Sequence, residues 1–188
     1  TKHVADLNNS VFSNSSNYKV YLKLFDVGEA STRPKDYNIK LSILNNNVDF
    51  EEGIGSDIYN FSDKGFANFQ KINGTTNWTN ASSISQDDCV SNYYLFQGQN
   101  ESIVRGNEDI TFDITSYFNN YINNNVQSSN FIISFDLDNL YDDYTYFVKR
   151  FGSVQINNKI KHPRIELHID ENKVQNIESQ NKKRYFDN

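Results

Sequence analysis

Apolar and polar residues alternate with a period of two over much of the chain. In Tyr18–Asp26 (YKVYLKLFD), Tyr18, Val20, Leu22 and Leu24 fall on one side, and Lys19, Tyr21, Lys23 and Phe25 on the other. Successive side chains of a strand point to opposite faces, so this pattern predicts a half-buried strand. The same alternation runs through Tyr37–Asn45 on Tyr37, Ile39, Leu41 and Ile43. Further strands are predicted at Asp109–Asp113, Asn130–Leu137, Tyr144–Phe151 and Arg164–Ile169. Only Thr115–Asn123 breaks the period. There Phe118, Tyr121 and Ile122 recur at i, i+3, i+4, which predicts a short helix with those three as its apolar face. Thr115 is the expected cap, because a hydroxyl accepts from the free amides of a first turn. Asn123–Asn125 is the expected stop.

Many strands, loops of about ten residues and one helix inserted late predict an all-β jelly-roll β-sandwich. The expected organisation is an extended N-terminal arm over residues 1–17, a jelly-roll domain over 18–170, and a polar tail or linker over 171–188. The chain starts at Thr1 and has no methionine, so the expectation is a processed product or a piece of a longer polypeptide.

Composition sharpens this picture in two ways. The apolar fraction is 37%, but 14 Phe and 12 Tyr supply bulk suited to pleated surfaces. The 29 asparagines sit largely between apolar runs, where Asn makes turns. Their excess, with little Ala, Pro or Arg, also fits an AT-rich coding sequence. The net charge is −6 and no basic stripe precedes the C-terminal tail, which argues against a nucleic-acid partner. No apolar run is long enough to span a membrane. Cys89 is the single cysteine, so no internal disulfide forms and no zinc spacing exists.

Candidate chemistry is sparse. Glu51, Glu52 and Asp57 cluster around Gly53 and Gly55, with Asp49 just before. Hard cations such as Ca²⁺ take several oxygen ligands, so a metal site is one reading and a solvated acidic loop the other. Adjacent Glu51 and Glu52 point to opposite sides of an extended segment, which disfavours an acid/base pair. Asp136, Asp138, Asp142 and Asp143 form a second acidic loop. No other cofactor is expected. Three histidines (His3, His162, His168) with no marked serine do not make a hydrolytic triad. Trp78 with Tyr93 and Tyr94 has the chemistry to stack a sugar ring, or to fill a core or its rim. Lys149 and Arg150 are neighbours on a predicted strand, so one of them faces inward or into an interface and needs a carboxylate partner.

Several segments, in order, resemble a known group. They are Val27–Pro34 (VGEASTRP), Glu52–Asp57 (EGIGSD), Gly74–Trp78 with Asn80, Asp113–Thr115, Phe147–Gly152 (FVKRFG) and Pro163–Arg164. Together they resemble an uncharacterised family of tailed-bacteriophage virion structural proteins, in which GEASxRP, WxEGxGxD, TW and FVKRFxSR segments recur in this order. The jelly-roll domain of disaggregatase-related and carbohydrate-binding modules is similar in the same order of features. The resemblance covers roughly Tyr18 to Ile169. Phe50 stands where the family has Trp, and Val154 where it has a second Arg. The resemblance implies a structural subunit of the tail, neck or fibre region of a phage particle, assembled with other virion proteins and with copies of itself, and not an enzyme. The alternative it implies is a carbohydrate-binding module for a host-surface glycan. Candidate interface or ligand residues are Trp78, Tyr93, Tyr94, Lys149 and Arg150, and candidate metal ligands are Glu51, Glu52 and Asp57.

Overall fold

In a computed structural model of the 188-residue chain, the structure describes residues 12, 15–28, 39–45, 48–51, 67–68, 70–79, 88–89, 107–123, 128, 130–135 and 149–170. The chain is predominantly β, with two antiparallel sheets and one helix among these residues. The elements are β1 (Tyr18–Leu24), β2 (Ile39–Ile43), β3 (Ile110–Asp113), α1 (Thr115–Ile122), β4 (Phe131–Phe135) and β5 (Arg164–Ile169). Single 3₁₀ turns cover Ser15–Asn17 and Lys159–Lys161. The chain divides into two compact units.

The first unit comprises Thr1–Asn38, Gly98–Val126 and Phe135–Asn188. Its sheet has the order β3-β1-β5, with β1 antiparallel to both neighbours. β1 has the predicted alternation: Tyr18, Val20, Leu22 and Leu24 are buried, opposite Ile110 and Phe112 of β3 and Ile165, Leu167 and Ile169 of β5. The alternation ends sooner than predicted. Phe25, expected beside Lys23 on the polar side, is 9% exposed. Its ring is covered by the Arg164 guanidinium at 4.6 Å and the Lys161 ammonium at 5.9 Å, contacts that reward burial of the ring. Beyond β5, the edge of β1 is continued by residues 150–152. Asp26 bridges Phe151, Val27 N–H donates to the Arg150 carbonyl (3.2 Å) and Gly152 N–H to the Phe25 carbonyl (2.9 Å). The rest of the predicted strand 144–151 lies outside the described residues.

α1 sits at the predicted place with a different cap, and its predicted face is buried only in part. Thr115 is its first helical residue and not its cap. The Thr115 hydroxyl accepts from Val20 N–H (2.9 Å), and the Asp113 carboxylate accepts from Thr115 N–H (2.9 Å). Ile114 N–H donates to the Val20 carbonyl (2.9 Å). These ties hold the first turn against β1, where Tyr117 is buried and Phe118 half-buried, while Tyr121 and Ile122 of the last turn are exposed. The Phe118 ring meets Tyr18 at 6.0 Å and Phe12 at 5.9 Å, and Phe12 meets Tyr18 at 5.3 Å. Burial is therefore confined to the first turn, from Ile114 to Phe118, and of the predicted face Tyr121 and Ile122 in the last turn stay exposed.

The second unit comprises Ile39–Gln97 and Gln127–Ser134. β2 and β4 form its sheet, and Leu44 N–H donates to the Asn130 carbonyl (2.9 Å) at its end. β2 is buried on both faces from Leu41 to Leu44. Leu44, Trp78 and Cys89 pack together, with Val48, Phe50, Ile72 and Ile132 against them.

Candidate functional site

The inward cation of the FVKRFG segment is Lys149. Arg150 lies on the exposed side of the chain, as neighbours on an extended backbone must. The Lys149 ammonium donates to Asp26 Oδ1 at 2.6 Å and to the Glu108 carbonyl at 2.9 Å. The two side chains of the ion pair are 3% and 8% exposed, and the Phe151 ring stands 5.5 Å from Nζ. Asp26 N–H in turn donates to Asp109 Oδ1 (2.8 Å), which also accepts from Lys161 (3.4 Å). The cluster joins the end of β1, the entry to β3 and the 149–152 segment. Gly152 completes it, because a Cβ there would collide with the Lys161 carbonyl oxygen. A lysine held this way has donors committed to fixed oxygens of two other segments, and so binds chain to chain.

Trp78 is 4% exposed, and its Nε1–H donates to the Asn68 carbonyl (2.8 Å). A sugar-stacking ring needs an open face, and this one has none; Trp78 is a core residue. Its loop is built by asparagines. Asn68 Oδ1 accepts from Gln70 and Lys71 N–H (2.9 and 3.0 Å), and Asn73 Oδ1 from Thr75 and Thr76 N–H (3.1 and 2.9 Å). These are side-chain turns of the kind Asn favours. Tyr93 and Tyr94 lie outside the described residues.

Of the acidic segment, Glu51 is described and exposed. Its N–H donates to the Ile72 carbonyl (3.3 Å), and its carbonyl accepts from Ala67 N–H (2.8 Å). Glu52 and Asp57 lie outside the described residues. Among the described residues no group of three or more His, Cys, Asp or Glu is placed to hold a metal ion.

Three polar features carried little sequence signal. Asp88, 2% exposed, accepts from the Thr79 N–H (3.0 Å) and hydroxyl (2.6 Å), and its carbonyl takes the Asn45 N–H (2.9 Å). Cys89 beside it is buried, and burial pushes its thiol up. Asp113 is the second. Burial alone would raise its carboxyl, but hydrogen bonds from Thr115 and Lys19 outweigh that and hold it below its ordinary value. The third is Glu166 on β5, flanked by Lys23 (2.8 Å), Arg164 (2.8 Å) and His168 (3.1 Å). The bonds from Lys23 first, then His168, then Arg164, lower its carboxyl from 4.5 to about 2. Tyr21 packs edge-on to His168 at 5.2 Å. This polar side of β1 and β5 follows from the period-two pattern, but its pairings depend on strand register.

No helix among the described residues is long and apolar enough to cross a membrane. Comparison of the chain with protein-family models, with curated proteins and with solved structures finds no match in any of the three.

Proposed function

We propose that the chain is a structural subunit of a tailed-bacteriophage particle, built as a jelly-roll sandwich and acting by assembly with other virion proteins and with copies of itself. One observation carries the reading beyond the resemblance of its segments: the described residues of those segments hold the fold. Lys149 of FVKRFG anchors the buried pair with Asp26, Gly152 admits the Lys161 backbone, Trp78 fills a core, and Asp113–Thr115 ties α1 to β1. A set of motifs with these roles describes a scaffold, and scaffolds work through their surfaces. Association is then the activity, through aromatic-rich surface and strand edges. The carbohydrate-binding alternative loses its main stacking candidate with the burial of Trp78.

Quantitative mass spectrometry of purified particles tests this reading. Peptides of the chain are expected at a fixed ratio to the other virion proteins. Their absence from particles in cells that produce the chain overturns it.

A further inference from the structure

β5 is an edge. Its partner on one side is β1, and among the described residues no strand lies along the other. Asp170 N–H donates to the Asn17 carbonyl (2.9 Å), which makes Asn17 and Asp170 a hydrogen-bonded pair. Such pairs alternate along an antiparallel ladder. In the register Lys19–His168, Tyr21–Glu166 and Lys23–Arg164, those β5 residues turn their backbone groups toward β1. Ile165, Leu167 and Ile169 therefore turn their N–H and C=O groups to the far edge. The bond from Ile114 N–H to the Val20 carbonyl agrees, because it assigns the even residues of β1 to β3.

The side chains of the same three residues lie on the apolar face of the sheet. Ile165 stands opposite buried Leu22 and is nonetheless 57% exposed. The apolar face thus runs past the last strand while the backbone beside it offers bonds. Native edges are usually blunted by charge, bulges or cover.

We infer that β5 pairs antiparallel with β5 of a second copy, Leu167 opposite the partner's Leu167, joining two three-stranded sheets across a two-fold axis. The sequence RIELHI is self-complementary in this register and in no neighbouring one. Ile165 meets the partner's Ile169, and each of these outward-facing pairs exchanges two backbone bonds. On the polar side, Glu166 falls opposite the partner's His168, and His168 opposite the partner's Glu166. Sliding one copy by two residues sets Glu166 against the partner's Glu166, and opposed like charges disfavour that register. A symmetric contact repeats every favourable pair, so a short strand is enough to specify it. The interface is a property of β5 and holds whether or not the chain resides in a phage particle.

The test uses the intact chain and two single-cysteine positions; native Cys89 is buried and gives little background. Sedimentation at high micromolar concentration should show a dimer. Under mild oxidation Leu167→Cys should link two copies covalently, because directly opposed residues lie within disulfide reach, whereas Ile165→Cys should not. His168→Glu should weaken the dimer about tenfold, since symmetry repeats the repulsion with Glu166. A monomeric wild-type chain overturns the inference. So does a dimer in which neither cysteine links, or in which Ile165→Cys links as readily as Leu167→Cys.

Discussion

Lys149 and Asp26 meet at 2.6 Å with both side chains almost wholly removed from solvent, although 123 positions separate them in the sequence. Removing one partner leaves an uncompensated buried charge. Lys149→Ala is therefore expected to cost about 3–5 kcal/mol, while Arg150→Ala, on the exposed side, should cost under about 1 kcal/mol. Denaturant unfolding of the two variants checks the difference. The double variant Lys149→Met/Asp26→Leu should regain most of the loss, because apolar replacements of similar size need no partner.

Thr115 supplies the acceptor for the buried Val20 N–H. Thr115→Val keeps the shape but leaves that donor unsatisfied, which should cost about 1–3 kcal/mol. Equilibrium unfolding measures it, and a neutral variant would show that the tie between β1 and α1 is not a strong constraint.

What the chain reveals of its own fold depends on the range of the forces involved. β1 is legible because burial of one face imposes a two-residue period on consecutive positions; β5 is legible from the same alternation in its sequence, although its apolar side is only partly buried. Lys149 and Arg150 announce by adjacency that one of them turns inward, but Asp26 as the partner follows only from pairing between segments remote in sequence. How far α1 is buried is likewise illegible: Thr115 and Ile114 tie its first turn to Val20, while Tyr121 and Ile122, apolar by spacing, stay exposed in the last turn. Trp78 could be read as core or as a sugar platform; only the loop that Asn68 and Asn73 fold around it decides.

Glu166 links stability to pH. Its carboxyl titrates at about 2 in the folded chain against an ordinary 4.5. A group depressed on folding stabilises fully above its unfolded value and loses that contribution as pH falls. The gap in melting temperature between wild type and Glu166→Gln should thus be present at pH 6, shrink from pH 4.5 downward and close near pH 2. High salt should narrow it throughout, since the cluster is on the surface. Parallel curves for the two proteins across this range would contradict the assignment.

Trp78 is the chain's only tryptophan, so its fluorescence reports one buried ring. Emission should be blue-shifted, quench slowly with acrylamide and stay unchanged on titration with glycans. A saturable, glycan-dependent shift abolished by Trp78→Phe would restore the carbohydrate-binding reading.

Assembly into a particle is the central claim, and electron microscopy of purified particles labelled with antibodies to this chain tests it most directly. The label is expected at one fixed place in the tail, neck or fibre region of every particle. Unlabelled particles, or label scattered without a fixed position, would contradict the account.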